Sequence, residues 1–94
     1  QNFFSIINSM HEVASDSEKA AIYQMHEMQE IYKRSGNGDE LVKMLEGVLE
    51  QTNNQTIRNV AYIRLSEALK KTGRAQRAVG VLQDALSENL KKIK

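Results

Sequence analysis

Apolar residues recur every three or four positions along this 94-residue chain, and this spacing constrains the fold more than any other feature. Such intervals place apolar side chains on one face of an α-helix, whereas a half-buried strand would alternate apolar and polar residues. Proline, which breaks helices, is absent. The pattern predicts five amphipathic helices. Their stripes are Phe3, Ile6, Ile7, Met10, Val13, Ala14; Ala21, Ile22, Met25, Met28, Ile31, Tyr32; Leu41, Val42, Leu45, Val48, Leu49; Ile57, Ala61, Leu65, Ala68, Leu69; and Ala78, Val79, Leu82, Ala85, Leu86, Ile93.

Short polar segments separate these stripes and contain residues that start and stop helices. Gly36 and Gly73 each follow a predicted helix end, where glycine readily adopts the left-handed conformation. Ser15 and Glu18 have the spacing of a capping box, and Asp39 is predicted to be the N-cap of the third helix. Because all the loops are short, consecutive helices are expected to pack as antiparallel neighbours.

The chain contains an internal repeat whose offset is 37 residues, the distance from Gly36 to Gly73. Apolar residues on both sides of the glycines align at the same offset. The matched pairs are Met28 with Leu65, Ile31 with Ala68, Tyr32 with Leu69, Leu41–Val42 with Ala78–Val79, Leu45 with Leu82, and Val48–Leu49 with Ala85–Leu86. The first helix repeats the spacing of the third helix, so it is either the second helix of a preceding unit in a longer array or an N-terminal cap.

The second unit, roughly 59–92, carries the more specific pattern. Its first helix has a large aromatic residue, a leucine, a small residue and an alanine, followed by a lysine-x-glycine turn and a small-apolar second helix. These positions are Tyr62, Leu65, Ser66, Ala68, Lys71, Gly73, Ala78, Val79, Leu82, Ala85 and Leu86. In this pattern the unit resembles the tetratricopeptide repeat (TPR) family. The first unit, roughly 22–55, keeps Tyr32, Gly36, Leu45 and Leu49 but has Gln29 where a small residue is usual.

The resemblance implies an all-α fold in which antiparallel helix hairpins stack as a short TPR-like α-solenoid of about five helices. It implies one domain over 1–94, with an N-terminal helix at 1–15 and repeats at 22–55 and 59–92. It also implies an adaptor or scaffold that binds a peptide or protein partner in a groove lined by the first helix of each unit. The groove residues carried over by position are Tyr23, His26, Glu27, Glu30, Lys33, Ile63, Arg64, Glu67 and Lys70, with Tyr23 and Ile63 as apolar anchors.

Self-association is an alternative function. A repeat buries its apolar face only against its neighbours, and two and a half units are fewer than such arrays usually need. An apolar surface is therefore expected at Phe3, Phe4 and Ile7, which would pair with a missing helix or with a second copy of the chain. Homo-oligomerisation is a possible consequence.

The residues that carry chemistry do not form a catalytic pattern. No serine lies in a nucleophile elbow and no glycine run cradles phosphate, so an enzyme is not expected, and neither is a cofactor. His26 and Glu30 could share a divalent ion, but a solvated helix face is the preferred interpretation, and no metal site is predicted. No apolar run is long enough to span a bilayer. With no cysteine, the compartment stays open, with the cytoplasm favoured.

A third interpretation is a nucleic-acid-binding helical domain. Basic residues cluster in the C-terminal tail and near the Gly73 turn. However, thirteen basic and twelve acidic residues leave a net charge of only +1, which gives no general attraction to phosphate. The preferred interpretation is that these cations complement helix dipoles.

Overall fold

The computed structural model describes residues 10, 11 and 13–93, and these residues form α-helices joined by short turns, with no strand among them. α1 covers Ser17–Arg34, α2 Gly38–Gln51, α3 Gln55–Lys71 and α4 Ala75–Lys92. Residues 10–11 and 13–15 are also helical. The predicted all-α class is confirmed. Most of the segment predicted as the N-terminal helix, including Phe3, Phe4 and Ile7, lies outside the described residues.

The four helices form two layers, α1 with α3 and α2 with α4. α3 is antiparallel to α4, because Asn59 near the start of α3 exchanges hydrogen bonds with Asn89 near the end of α4, at 3.1 and 2.9 Å. α1 and α3 run parallel, since Glu18 and Asn54 meet beside the starts of both helices at 2.9 Å. Consecutive helices are therefore antiparallel and alternate between the layers, as the short loops predict.

The α1–α2 and α3–α4 turns have the same structure, 37 residues apart. Gly36 and Gly73 adopt φ values of 72° and 77°. In each turn, the backbone N–H after the glycine donates to the carbonyl five residues earlier at 2.8 Å, and the hydroxyl before the glycine donates to the carbonyl four residues earlier at 2.9 Å. These bonds are Asn37 to Tyr32, Arg74 to Leu69, Ser35 to Ile31, and Thr72 to Ala68. The sequence repeat is therefore reproduced in the structure of the two turns.

Two helix starts differ from the prediction. Asp16 is the N-cap of α1, and its carboxylate accepts a backbone N–H three residues on at 3.0 Å, so the capping box assigned to Ser15 is wrong. Glu18 reaches across to α3 instead of back to its own helix start. Asn37 is the N-cap of α2, so Asp39 lies inside the first turn, where its negative charge is favourable near the helix N-terminus.

The core surrounds α3, which among the four described helices α1–α4 is the one covered on both sides. The largest fully buried side chains of this core are Leu45 of α2 and Leu65 and Leu69 of α3. The full set of buried apolar residues is Met25, Leu41, Val42, Leu45, Ala61, Tyr62, Leu65, Ala68, Leu69 and Ala78. α4 contributes only Ala78 to this set. The predicted apolar stripe of this helix is therefore mostly uncovered.

Replacing Gly73 with alanine is expected to destabilise the protein by about 1 kcal/mol, because a Cβ raises the energy of a residue at positive φ. An added Cβ meets nothing within 4 Å there, so the cost comes from backbone strain alone. Gly80→Ala is the matched control. Gly80 also has open space around it but lies inside α4, so this change should stabilise by about 0.5–1 kcal/mol. Urea unfolding measures both, and equal effects would contradict the prediction.

Candidate partner-binding surfaces

A cleft of about 140 Å³ opens between α1 and α3, beside the start of α2. We call it the α1–α3 cleft. Its lining residues are Gln29, Lys33, Gly38, Leu41, Arg64, Glu67, Ala68, Lys71 and Thr72. Leu41 and Ala68 form an apolar floor, because both are almost fully buried. Polar and charged side chains from α1 and α3 surround this floor, and the volume suits a side chain or a short turn of a partner rather than a whole helix.

Gln29 is the unusual residue of this cleft. It is 93% buried (7% exposed), and its Oε1 has no hydrogen-bond partner. At the equivalent position of the second repeat, Ser66 donates to the carbonyl of Ile63 at 2.9 Å and is satisfied within its own helix. An unsatisfied buried acceptor costs about 1–3 kcal/mol. A buried acceptor without a donor therefore lies in the wall of the α1–α3 cleft, almost out of contact with solvent.

The charges around Gln29 are mainly positive. Lys33, Arg64 and Lys71 contribute three cations, and Glu67 contributes one carboxylate. Lys33 also lies 3.9 Å from Glu30, an exposed pair that holds it weakly. Because cations outnumber anions at the rim, the cleft favours an acidic group over a basic one.

Three of the predicted groove residues line this cleft, namely Lys33, Arg64 and Glu67. The two predicted anchors, Tyr23 and Ile63, are 43% and 56% exposed on α1 and α3. The remaining groove residues, His26, Glu27, Glu30 and Lys70, are exposed or half-buried on the same two helices. The structure thus places all nine on one layer, and their role in binding stays a prediction.

Six of the nine lining residues were not among the predicted groove residues, and two of these six, Gln29 and Lys71, have long polar side chains. Gln29 was noted only as a departure from the repeat pattern, and Lys71 only as part of a turn. The available signal was a long polar side chain at a position whose repeat equivalent is a small buried serine. Such a substitution either disturbs packing or opens a polar site.

A second polar cluster joins three helix segments through Arg58. Its guanidinium donates to Glu88 of α4 through Nε at 2.9 Å and Nη2 at 2.8 Å, a bidentate ion pair. The same side chain donates to the carbonyl oxygens of Thr52, at 2.9 Å, and Leu49 at the end of α2. Tyr62 completes the cluster by donating its hydroxyl hydrogen to Glu88. Because three segments meet here, we interpret the cluster as a structural clamp.

The clamp has clear electrostatic consequences. Hydrogen bonds from Arg58 and then from Tyr62 hold the pKa of the Glu88 carboxyl at about 2, well below its usual range. Burial raises the pKa of the Tyr62 phenol, and the adjacent Glu88 carboxylate raises it further. The carboxylate thus stays ionised and the phenol protonated near neutral pH, the states in which all these bonds form.

The basic cluster near the Gly73 turn is partly neutralised. Arg74 pairs with Asp39 at 2.8 Å, and Arg77 pairs with Glu46, so both arginines link α4 to α2. Among the described residues, no three His, Cys, Asp or Glu side chains are grouped closely enough to hold a metal ion. His26 and Glu30 therefore have no third ligand within that part of the chain. Within it, too, no helix combines the length and apolar content that crossing a membrane requires.

α4 carries a second candidate surface, which we call the α4 stripe and define by Val79, Leu82, Leu86 and Leu90. These side chains are 53%, 43%, 59% and 56% exposed. Val79, Leu82, Leu86 and Ile93 belong to the predicted apolar stripe of this helix, and the structure leaves them exposed. The physical reason is the order of the helices. α3 covers the equivalent face of α2, but no described helix follows α4. In α1, Met28 and Ile31 of the predicted stripe are exposed as well.

Comparison with protein-family models, with curated proteins and with solved structures finds no match to this chain.

Proposed function

We propose that this chain is a protein–protein interaction module of the TPR-like helical-repeat kind, which binds an acidic segment of a partner protein in the α1–α3 cleft. The buried, unpartnered Oε1 of Gln29 is the observation that carries this proposal. Folding leaves this acceptor without a donor, which lowers stability, and a backbone N–H of a bound segment would satisfy it once the Gln29 amide turns towards the cleft.

Binding divides into positioning and charge recognition. The hydrogen bond from a backbone N–H of the partner to Gln29 would fix the position of the partner segment in the cleft. An acidic side chain beside it would then lie among Lys33, Arg64 and Lys71, where charge-assisted hydrogen bonds are the strong ones. Glu67 would disfavour a second acidic group on its side and so contribute to register.

Random 12-residue peptides displayed on phage, selected against the chain, test this function. We expect recovered peptides to be enriched in Asp and Glu. Synthetic copies should bind Arg64→Glu at least about tenfold more weakly, since reversing a cation at a desolvated charge pair costs 2 kcal/mol or more. Lys43→Glu, on the exposed surface of α2, is the matched control and should leave binding nearly unchanged. Peptides without acidic enrichment, or equal binding to both variants, would overturn the proposal.

Gln29→Leu separates stability from binding. The side chains have similar size, and leucine removes the buried unpartnered acceptor, so we expect stability to increase by about 1 kcal/mol. The same variant should bind the selected peptides more weakly, because the donor of the peptide loses its acceptor. Thermal unfolding and fluorescence anisotropy measure the two quantities. A variant that is less stable than the original chain would show that Gln29 is already satisfied in solution.

A further inference from the structure

The exposed large apolar side chains are not scattered over the surface. Apart from Met10, they lie on α1, on α3 and along α4 up to its C-cap. We call Tyr23, Met28 and Ile31 the head face, since α1 belongs to the first repeat. We call Ile63 together with the α4 stripe the tail face, since both belong to the second repeat. Exposed large apolar side chains gathered on particular helices are typical of an interaction site.

The internal repeat shows what fits the tail face. Inside the chain, α2 is covered by α3, and Leu45 of α2 is 0% exposed. Positions 37 residues apart are equivalent in the two repeats, so α4 corresponds to α2 and Leu82 corresponds to Leu45. Leu82 is 43% exposed. The helix that would cover Leu82 in the same way is one related to α3 by the repeat.

α1 is the helix with that relationship. Within α3, Leu65 and Ala68 are 2% and 7% exposed. Their repeat equivalents in α1 are Met28 and Ile31, which are 39% and 65% exposed. The head face therefore presents apolar residues at the positions that α3 uses for burial. Among the described residues, the two faces therefore present the two halves of an interface that the chain already forms once internally.

We infer that a second copy of this chain binds head to tail, with α1 of one copy packed against α4 of the other as α3 packs against α2. This contact is heterologous, because two different faces meet. Each added copy leaves one head face and one tail face free, so assembly continues until the ends meet or the concentration limits it.

Steric detail at the turns supports this occupant. Gly38 at the start of α2 has no room for a side chain, since an added Cβ would lie 2.9 Å from Cγ2 of Thr72. In the head-to-tail contact, the residue equivalent to Gly38 is Ala75, and the residue equivalent to Thr72 is Ser35 of the second copy. The alanine adds a methyl group at the position where serine lacks one. The Ala75–Ser35 pair between copies therefore has about the same total volume as the Gly38–Thr72 pair within the chain.

The layer formed by α1 and α3 is complementary in charge as well. Lys33 of α1 and Glu67 of α3 line one cleft inside the chain. The same shift brings Lys70 next to Glu30 of the second copy, which again joins a cation and an anion.

The ends of the helices match in charge. Because α4 would run antiparallel to α1 of the second copy, its last turn lies beside the start of that helix. The last turn of α4 contains Lys91 and Lys92, while Asp16 caps α1 and Glu18 lies in its first turn. Opposite charges therefore face each other at this end, and the contact should weaken as ionic strength rises. A symmetric contact of α4 with α4 would leave the head face unused.

Two single variants and their mixture test the arrangement by sedimentation velocity. The original chain should form oligomers whose mean mass grows with concentration, over a range on the order of 10 μM to 1 mM. Leu82→Glu blocks the tail face and Ile31→Glu blocks the head face, so each variant alone should stay monomeric. An equimolar mixture should form dimers and nothing larger, because it contains one intact head face and one intact tail face per pair.

Gly80→Glu is the matched control. It adds the same side chain to α4, at a position where a Cβ has open space, away from the α4 stripe, and it should assemble like the original chain. Leu86→Glu and Met28→Glu repeat the design at a second position of each face, with circular dichroism to confirm folding. A monomeric original chain, an Ile31→Glu variant that assembles normally, or a mixture that stays monomeric would each overturn the inference. Arg64→Glu should assemble normally, so failure of the cleft proposal and failure of this inference are distinguishable.

Discussion

Leu45→Ala should destabilise the monomer by about 2–5 kcal/mol, whereas Leu82→Ala, at the equivalent position of the second repeat, should cost less than about 1 kcal/mol. The residue type, the helix position and the repeat register are the same. Only the environment differs, since Leu45 is 0% exposed and Leu82 is 43% exposed. Removing a fully buried isobutyl group loses its transfer free energy and leaves a cavity beneath α3, whereas Leu82 is already in contact with water.

Urea unfolding at low protein concentration measures both variants without a contribution from association. If the effect of Leu82→Ala grows with protein concentration while that of Leu45→Ala stays constant, Leu82 is buried in the assembly, as the head-to-tail contact requires. Equal costs at high dilution would mean that α4 is covered within a single chain, and would contradict the description of the tail face.

Glu88→Gln should remove much of the acid sensitivity of this protein. The Glu88 carboxyl has a pKa of about 2 when folded, below the value of about 4.5 expected for an unperturbed glutamate. Because the folded pKa is depressed, the carboxylate contributes stability above the unfolded pKa, and this contribution is lost as pH falls from about 5 towards 2. The side chain is 29% exposed, so solvent screening reduces the contribution to about 2 kcal/mol.

The measurement is the free energy of unfolding at several pH values between 2 and 7. The original chain should lose stability on acidification, and Glu88→Gln should start lower at pH 7 and change less. Glu50→Gln, at an exposed position of α2, controls for the loss of one acidic group. Parallel curves for the original chain and Glu88→Gln would show that the clamp does not form in solution.

The Arg58→Met variant and the double variant Arg58→Met with Glu88→Gln complete this comparison. Removing Arg58 leaves Glu88 without its ion-pair partner and leaves the carbonyls at the end of α2 without a donor, so we expect a loss of about 3 kcal/mol at pH 7. Because the two side chains act together, their effects should not add, and a double-mutant cycle should give a coupling energy above about 1 kcal/mol.

The two proposed interactions use different surfaces and need not compete. The α1–α3 cleft lies within one chain, between its two repeats. The head and tail faces lie at the ends of the stack. In a head-to-tail assembly, α3 of one copy and α1 of the next become neighbours, as α1 and α3 are within a chain. Assembly would thus place several clefts along one layer, and multivalent binding would strengthen attachment to a partner with repeated acidic segments.

Local features of this protein were readable from sequence because they depend on neighbouring residues. Spacings of three and four predicted the helices, and Gly36 and Gly73 marked turns because few other residues tolerate positive φ. The 37-residue offset predicted two equivalent turns, and these have the same hydrogen bonds. The capping residues of α1 and α2 were misplaced by one or two positions because several polar residues adjoin each helix start and compete for that role.

What required the tertiary structure was the fate of each apolar or polar side chain once helices packed. Leu45 and Leu82 look the same in sequence, and only the presence of α3 over one of them makes it core. The pairing of Arg58 with Glu88, 30 residues apart, has no local signature, and the missing partner of Gln29 is visible only when every neighbouring donor is placed. Periodicity specifies which face of a helix is apolar, while burial depends on what lies opposite that face, and distant segments of the chain decide that.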